Sequence, residues 1–302
     1  MKPSKYIFWI NIATFLAIIL LSIIFYTIIT KYLSWKTTEL KQEGFHLFNI
    51  KTSNIGIVSM MKDPKNLETW LNKHRELGIR HFYIRLEETP DMVSFLQTQP
   101  DVTVRSGVSK GINEYDEQQT RQNEWVNEAY RLAALENPEL KWLIHIDSDE
   151  ILQGDLNEIE ELPEEVRTFW MQNLEARFSK IPSKTDNCFE ASKFIDCSKE
   201  PKKCVSYGNG KSGGRVAPDV SSFGPHRMKS TIRNSPMPKL TKVFVQHYES
   251  CDFEIYKKKF KRLAVQDKKL NIPFPYYNES ISACNCDDDE ELRRIYTKYR
   301  VE

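Results

Sequence analysis

From residue 55 onward, runs of apolar residues alternate with stretches in which apolar residues recur at helical spacing. Four short apolar runs predict strands, at 55–61, 80–86, 102–105 and 141–147. Three stretches between them predict helices, at 64–77, 91–97 and about 117–136. Strands that alternate with helices predict an α/β fold with a mainly parallel sheet and helices on both of its faces.

The pattern is less regular beyond residue 163. It predicts a long strand at 166–178, an irregular segment rich in Cys, Pro and Gly at about 181–225, a strand at 242–248, a helix at 252–268 and a short terminal helix at 287–294. The 252–268 helix is rich in lysine and arginine, and we interpret these charges as a solvated helix face.

The N-terminal segment 6–30 contains no charged residue and is dominated by Ile, Leu, Phe and Ala. As a helix that rises ~1.5 Å per residue, it is longer than the ~30 Å apolar thickness of a bilayer. A cleaved signal peptide is the alternative, but the apolar run is long and no small-x-small cleavage site follows it. We therefore predict a short tail at 1–5, a transmembrane signal-anchor at 6–30, a stem at 31–52 and a folded α/β domain at 53–302.

Composition changes this picture in two ways. Of the 302 residues, 43 are Lys or Arg and 42 are Asp or Glu, so the charge balance gives no reason to expect a nucleic-acid partner. All six cysteines lie on the C-terminal side of the apolar segment, which favours disulfides in an oxidising compartment, above all within 188–204. The glycosylation sequon at Asn278 agrees with a lumenal location of this part of the chain.

The candidate chemistry lies at the end of the fourth predicted strand, where Asp147, Ser148 and Asp149 follow an apolar run. Residues i and i+2 of a strand face the same side, so the two carboxylates would share one divalent cation such as Mn²⁺ or Mg²⁺. A cation at this position would neutralise a diphosphate as it leaves. Ligands of open α/β sheets bind beyond the carboxyl ends of the strands, where this Asp-x-Asp motif lies.

Two basic features are further candidates for a contact with the phosphates or the nucleotide. The glycine-rich stretch 207–215 is either a phosphate-binding loop, in which Lys211 pairs with the phosphate, or a plain hairpin turn. Arg121 begins the helix that leads to the acidic strand, and we interpret it as a contact of the nucleotide; a surface charge is the alternative.

Several short segments carry a likeness to a known family through their order and spacing: 60–63 with 66–71, 74–78 with 81–84, 121–122, 146–152, 224–227 and 247–248. Through these segments the chain resembles the glycosyltransferases of the GT-A fold, particularly the family-92-like and family-2-like groups. The resemblance covers roughly residues 54–265. It implies a Rossmann-like GT-A domain at 53–302, a type II membrane topology and a Golgi-like location in the secretory pathway.

The resemblance also implies a set of site residues. The nucleotide-sugar donor would bind at the end of the first strand, beside Asp63, and the metal at Asp147 and Asp149. His226 matches the position at which this fold often supplies a late metal ligand, so we predict that it binds the metal and takes part in catalysis. The alternatives are that His226 is a structural histidine in a turn, or that His247 is the ligand.

The sequence thus predicts a metal-dependent, hexosyltransferase-like enzyme that moves a sugar from a nucleoside-diphosphate sugar to a glycan, glycoconjugate or other hydroxyl acceptor. A nucleotidyltransferase is one alternative, although its Gly-rich basic loop near the N terminus is missing here. A catalytically inactive, membrane-anchored glycan-binding relative is the other. No motif marks the base that would deprotonate the acceptor. Four carboxylates are candidates for it: Glu175, Glu190, Asp196 and Asp219.

Overall fold

A computed structural model describes residues 26–27, 29–31, 53–108, 114–183, 186–265, 274–286 and 288–302. The chain divides into two compact units, 1–50 and 51–302. In the first unit, 26–27 and 29–31 are helical, while the predicted tail, most of the predicted anchor and most of the predicted stem lie outside the described residues. Within the described ranges, no helix combines the length and the apolar character needed to cross a membrane.

The described part of the second unit contains twelve strands and seven α-helices. The strands are β1 (Ile55–Met61), β2 (His81–Glu87), β3 (Val102–Gly107), β4 (Trp142–His145), β5 (Glu150–Gly154), β6 (Thr168–Met171), β7 (Asn173–Arg177), β8 (Lys193–Asp196), β9 (Lys211–Arg215), β10 (Val220–Ser222), β11 (Met228–Ser230) and β12 (Val243–His247). The helices are α1 (Leu67–Leu77), α2 (Val93–Gln97), α3 (Glu114–Glu136), α4 (Asn157–Glu160), α5 (Phe253–Ala264), α6 (Pro275–Asn285) and α7 (Asp289–Arg300).

Six of these strands form the main sheet, in the order β3-β2-β1-β4-β9-β6. Strands β1 to β4 run parallel, and β9 runs antiparallel to both β4 and β6. All seven residues of β1 are buried, as expected for a strand that is covered on both faces. The predicted mixed α/β fold with a parallel-rich sheet is thus confirmed.

Helices pack on both faces of this sheet. Ile57 of β1 belongs to the same core cluster as Trp70 of α1, whereas its neighbour Val58 belongs to the cluster that contains Trp125 of α3. Successive side chains of a strand point to opposite faces, so α1 and α3 lie on opposite faces of the sheet. Trp125 also donates its indole N–H to the backbone oxygen of Ser59 at 2.9 Å, which fixes α3 on β1.

A second sheet, in the order β5-β12-β7-β8, begins immediately after the connection that follows β4. In it, β12 pairs antiparallel with β5 and parallel with β7. The single strand predicted at 166–178 is therefore wrong, because β6 belongs to the main sheet and β7 to the second one. The chain is largely buried on both sides of Gln172, so its hydrophobic pattern does not reveal the change of sheet.

The C-terminal helices form a third core cluster that is rich in aromatic residues. The Tyr256 ring of α5 lies 5.6 Å from the Tyr276 ring of α6 and 5.1 Å from the Tyr296 ring of α7. The terminal helix α7 is longer than the predicted 287–294, and α6 is absent from the predicted elements. Helix α6 is stabilised by its packing on α5 and α7, whereas the apolar residues of α7 recur at helical spacing as far as Tyr299, beyond the predicted end.

Two disulfides bridge the described part of the second unit. Cys197 pairs with Cys204 inside the segment where a disulfide is predicted, and Cys188 pairs with Cys251 across a separation of 63 residues. The prediction of disulfides is confirmed. The longer bridge connects the segment 186–190 to the chain just beyond β12, close to the site described next.

Candidate active site

The candidate site lies where the two sheets meet, in the connection 146–149 between β4 and β5. The fourth strand ends at His145 and not at the predicted residue 147, so Asp147 and Asp149 lie in a turn. The premise that one strand points both carboxylates to the same side is therefore wrong. In the turn the two side chains have different partners, which gives them different chemistry.

Asp147 is held by three protein groups. Its carboxylate accepts hydrogen bonds from Gln122 Nε2 at 2.7 Å and from Lys211 Nζ at 2.5 Å. Its backbone N–H donates to the Glu150 carboxylate at 2.7 Å. Lys211 is completely buried, and its Nζ also lies 3.2 Å from Glu150 Oε2. A buried lysine thus compensates two neighbouring carboxylates.

Burial and mutual attraction decide the charges of this cluster. Burial would raise the pKa of Asp147, but attraction to Lys211 outweighs it and holds that pKa well below its usual range. Burial raises the pKa of Glu150 to about 7, because attraction to Lys211 offsets the burial only in part. Burial would lower the pKa of Lys211, but both carboxylates keep it above its usual value. Lys211 is therefore a cation and Asp147 an anion at physiological pH.

Asp149 belongs to a different group, together with His247 and Glu249. One ligand atom from each of these three residues lies within 4.8 Å of the other two. His247 Nε2 is 3.6 Å from Asp149 Oδ2 and 3.9 Å from Glu249 Oε2. Two ligands that each lie ~2.1 Å from one cation are at most about 4.2 Å apart, so both separations fit a single ion. An imidazole nitrogen beside two carboxylates suits a divalent cation such as Mn²⁺.

Strand pairing brings this group together. His247 is the last residue of β12 and lies opposite Glu150, the first residue of β5. The backbone N–H of Tyr248 donates to the backbone carbonyl oxygen of Asp149 at 2.8 Å, which extends the pairing of β12 and β5 by one residue on each strand. The Asp149 side chain is 41% exposed, while His247 and Glu249 are buried. A cation held here would keep open positions on the side that faces solvent.

The surroundings of His247 and Glu249 set their charges. Burial would lower the pKa of His247, but Glu175 and Asp149 raise it well above its usual value. A bound cation must therefore displace the proton on Nε2. Burial would raise the pKa of Glu249, but Lys259, whose Nζ lies 2.7 Å from the carboxylate, lowers it to about 2. Glu249 is thus an anion that can accept a cation.

His226 lies outside this three-residue group. Its Nδ1 is 2.8 Å from the Gly210 oxygen, and its ring packs on Tyr207 with centroids 4.4 Å apart. The same tyrosine ring contacts His247 at 4.9 Å. Burial and the nearby charge of Lys211 lower the pKa of His226 to about 3, so the ring is neutral. The three-residue group instead contains His247, the alternative metal ligand that the sequence offers. Metal binding by His226 stays a prediction.

Arg121 and Asp63, the other two predicted donor contacts, lie near the carboxyl ends of parallel strands. Arg121 donates to Glu87, the last residue of β2, through Nε and Nη2 at 2.7 and 2.9 Å. Asp63 follows β1 with a left-handed φ of 47°, and its carboxylate pairs with Lys258 at 2.9 Å. Both residues lie at the edge where a donor would bind. Their contact with a nucleotide stays a prediction.

The glycine-rich stretch is divided in the structure, because 211–215 form strand β9 in the main sheet and 207–210 precede it outside any helix or strand. A contact of Lys211 with a donor phosphate stays a prediction. Close packing explains its glycines. A Cβ on Gly213 would lie 2.4 Å from Cζ of Phe169, and one on Gly214 would lie 2.6 Å from Cγ1 of Val220. Glycine therefore lets β9 fit between β4 and β6, and this position carries Lys211 to Asp147.

Besides Gln122 and Glu150, which hold Asp147, two residues of the site are absent from the sequence-based prediction. Glu249 lies two positions after His247, a spacing that does suggest a shared metal when the histidine ends a strand. Lys259 is the other, and the interpretation of the α5 charges as a solvated face is wrong for this residue. Its Nζ lies 2.7 Å from the Glu249 carboxylate and 2.8 Å from the Tyr277 hydroxyl.

The four carboxylates considered as the base lie outside the three-residue group. Glu175 is completely buried and contacts His247 Nδ1 at 2.7 Å, so it does not face an acceptor. Asp196 and Asp219 are held by neighbouring side chains, and Glu190 is exposed in the irregular segment. The structure therefore marks none of them as the base.

No protein-family model matches the sequence and no curated protein matches it, so sequence comparison gives no support to the family-92-like or family-2-like groups. Among solved structures, Rv0371c from Mycobacterium tuberculosis H37Rv is 15% identical over 42% of this chain and 69% of that chain, with a TM-score of 0.26. HddC from Yersinia pseudotuberculosis, complexed with GMP-PN, is 9% identical over 69% of this chain and 99% of that chain, with a TM-score of 0.33. The third, described as a glucose-1-phosphate thymidylyltransferase from Bacillus anthracis in complex with a sucrose, is 10% identical over 82% of this chain and 85% of that chain, with a TM-score of 0.26. The third name is that of a nucleotidyltransferase, the alternative activity considered above. At these TM-scores the similarity carries no argument about this chain.

Proposed function

We propose that this chain is a metal-dependent glycosyltransferase that moves a sugar from a nucleoside-diphosphate sugar to a hydroxyl group of a glycan or glycoconjugate. The observation that carries the proposal is the convergence of Asp149, His247 and Glu249 just beyond the carboxyl end of β4. In open α/β sheets, this is the edge at which ligands bind.

In the proposed reaction, Asp149, His247 and Glu249 hold a divalent cation, Mn²⁺ or Mg²⁺. When bound, the cation supplies Lewis-acid stabilisation to the diphosphate that leaves the sugar. Asp149 contributes the ligand on the exposed side of the group, and the two buried residues contribute the ligands behind it. The donor phosphates would therefore approach from the side of Asp149.

Two lysines control the negative charge of this site. Lys211 compensates Asp147 and Glu150, and Lys259 compensates Glu249. Without them, the carboxylates at this edge of the sheet would add negative charge that repels a diphosphate. We propose that Asp147 serves the same charge balance. Its carboxylate holds Lys211 beside the site, and it does not need to bind the cation.

Three further residues are proposed to contact the substrates. Asp63, which follows β1, and Arg121 of α3, which pairs with the last residue of β2, would contact the nucleotide part of the donor. His226, with its neutral ring, would border the site on the side of Tyr207 and bind the cation or the leaving group there. Support for these three roles is positional: Asp63 follows β1, Arg121 pairs with the last residue of β2, and His226 contacts Gly210 just before β9.

The loop after β1 favours a glycosyltransferase over a nucleotidyltransferase. We expect the latter to have a Gly-rich, basic loop at the end of the first strand. Here 62–66 contains Pro64 and no glycine. Its two lysines are engaged, since Lys62 lies 2.5 Å from Glu88 and Lys65 lies 2.5 Å from Asp252. This loop is therefore not a free phosphate cradle.

We further propose that the chain is a single-pass type II membrane protein of the secretory pathway. The uncharged segment 6–30 would be the anchor and 1–5 the cytosolic tail. The two disulfides support an oxidising compartment for 53–302. Protease treatment of sealed microsomes should leave 53–302 protected, and its digestion from the cytosolic side would contradict this topology.

The activity is tested with the full-length protein in detergent and Mn²⁺. One set of reactions contains nucleoside-diphosphate sugars labelled in the sugar, with a panel of glycan acceptors. A second set contains nucleoside triphosphates with sugar 1-phosphates. Labelled acceptor together with a free nucleoside diphosphate is the result we expect. Pyrophosphate in the second set would identify a nucleotidyltransferase, and glycan binding without either product would identify an inactive relative.

A further inference from the structure

The buried side of His247 has an organisation that the proposed metal binding alone does not explain. His247 Nδ1 lies 2.7 Å from Glu175 Oε1 and 3.1 Å from Ser206 Oγ. Ser206 donates its hydroxyl hydrogen to the same Glu175 oxygen at 2.7 Å. Glu175 and His247 are register partners on the neighbouring strands β7 and β12. Their contact is therefore set by the sheet and does not depend on a mobile loop.

This contact selects which ring nitrogen faces the site. An ionised carboxylate only accepts hydrogen bonds, so His247 Nδ1 must be the donor to Glu175. Nε2 is then the atom that can offer a lone pair, and it is the atom that points toward Asp149, 3.6 Å away. Histidine ligands of metals commonly donate their second N–H to a carboxylate, which fixes the ring and makes the ligand more basic.

Glu175 has a counter-charge at the end of the chain. Arg300, the last residue of α7, is completely buried, and its Nη1 lies 3.5 Å from Glu175 Oε2. Within the described ranges no other carboxylate lies within ion-pair distance of Arg300, and its Nε and Nη2 atoms have no hydrogen-bond partner. The backbone carbonyl oxygen of Arg300 accepts the backbone N–H of Phe178 at 2.9 Å, which holds the end of α7 beside β7. Burying this arginine requires a nearby anion, and Glu175 supplies it.

We propose that Glu175 is a positioning residue that fixes His247 as a metal ligand. Arg300 balances the Glu175 charge and so connects the C-terminal helix to the metal centre. Both residues act through the His247 ring, because neither is exposed to a substrate. This inference rests on the proposed function, since it assumes that a cation binds at Asp149, His247 and Glu249.

Metal affinity tests the proposal without any reaction. Free Mn²⁺ is measured by electron paramagnetic resonance during titration of the full-length protein, at a temperature where circular dichroism shows each variant to be folded. Glu175→Gln keeps the size of the side chain and an oxygen that accepts from Nδ1, but it removes the charge. We expect its Kd for Mn²⁺ to rise about 10- to 100-fold, and Glu175→Asp to lie between this variant and the wild type.

The matched control is Glu279→Gln, the same change at a carboxylate of α6 that binds Lys298 and Tyr299. It should keep the wild-type Mn²⁺ affinity. Wild-type affinity in folded Glu175→Gln would overturn the positioning role and leave the proposed function intact. Failure of the wild type to bind Mn²⁺, or unchanged binding in Asp149→Ala, would overturn the proposed metal site and this inference with it.

A measurement on the wild type keeps the proposal testable if the Glu175 variants do not fold. The protein is labelled with ¹⁵N in its histidine rings and loaded with Mg²⁺, which is diamagnetic. The His247 signals are assigned by their loss in His247→Gln. We expect Nδ1 to remain protonated and Nε2 to change its ¹⁵N shift when Mg²⁺ binds. Mg²⁺ coordination through Nδ1 would overturn the proposal.

Discussion

Replacing Lys211 by methionine removes the buried cation that two carboxylates share. Its Nζ lies 2.5 Å from Asp147 and 3.2 Å from Glu150, and the lysine side chain is 0% exposed. Methionine has a similar length and no charge, so the packing of β9 between its neighbours is largely kept. The substitution therefore isolates the electrostatic contribution of Lys211.

The size of the effect follows from burial. Removing one partner of a buried ion pair costs about 3–5 kcal/mol. The surroundings of Lys211 favour the lower end of this range of destabilisation. Glu150 has a pKa of about 7 even beside Lys211 and will take up a proton without it. Asp147 keeps its hydrogen bond from Gln122, and its side chain is 33% exposed. We expect a loss of about 3 kcal/mol, which for a domain of this size corresponds to a Tm lower by roughly 6–12 °C.

The assay is thermal and urea unfolding of the full-length protein in EDTA, followed by circular dichroism. Lys242→Met is the matched control, because Lys242 is exposed at the start of β12 and its loss should change stability by less than about 0.5 kcal/mol. The double variant Lys211→Met/Asp147→Asn removes the uncompensated charge and should recover much of the stability. Wild-type stability in Lys211→Met, or a double variant less stable than the single one, would refute the charge-compensation argument.

Two further predictions concern the stability of the fold. His74 is buried, accepts the Leu152 N–H at 3.0 Å, and has a pKa lowered to about 3 by burial, so the unfolded chain takes up a proton below pH 6.5 that the folded chain does not. Between pH 7.5 and 5 the wild type should lose about 2 kcal/mol more stability than His74→Gln in urea unfolding, and parallel pH profiles would contradict this assignment. The two disulfides should differ in their contribution to the free energy of unfolding, since their cysteines are separated by 63 and 7 residues. In the same assay Cys188→Ala/Cys251→Ala should cost about 4 kcal/mol and Cys197→Ala/Cys204→Ala about 2 kcal/mol, and the reverse order would contradict the loop-entropy argument.

Local patterns were sufficient for the first half of the fold. The four parallel strands and the helices between them lie close to their predicted positions, because a strand buried on both faces and an amphipathic helix each have their own periodicity. The break at Gln172 was not predictable in this way, since β6 and β7 differ in their partners and not in their apolar character. The aromatic residues of α6 likewise make sense only against α5 and α7.

The candidate site was also predictable from local sequence only in part. Asp147 and Asp149 were visible in the sequence because they follow a buried strand. Their separate roles depend on Lys211 and His247, which lie far along the chain and reach the turn through β9 and β12. The choice between His226 and His247 as the ligand depends on long-range strand pairing, which a single sequence does not encode locally. Glu175 lacks any local signal for its contact with His247.

The central claim is that a cation held by Asp149 assists the transfer of a sugar from its nucleoside diphosphate. The most direct measurement compares sugar transfer by the wild type, Asp149→Asn and the control Asp155→Asn, an exposed carboxylate just beyond β5, with Mn²⁺ and with EDTA. We predict that EDTA abolishes wild-type transfer, that Mn²⁺ restores it, and that Asp149→Asn is slower by about 10³-fold, or about 4 kcal/mol. The Asp155→Asn variant should behave as the wild type. Near-normal transfer by Asp149→Asn that does not respond to EDTA would contradict the claim.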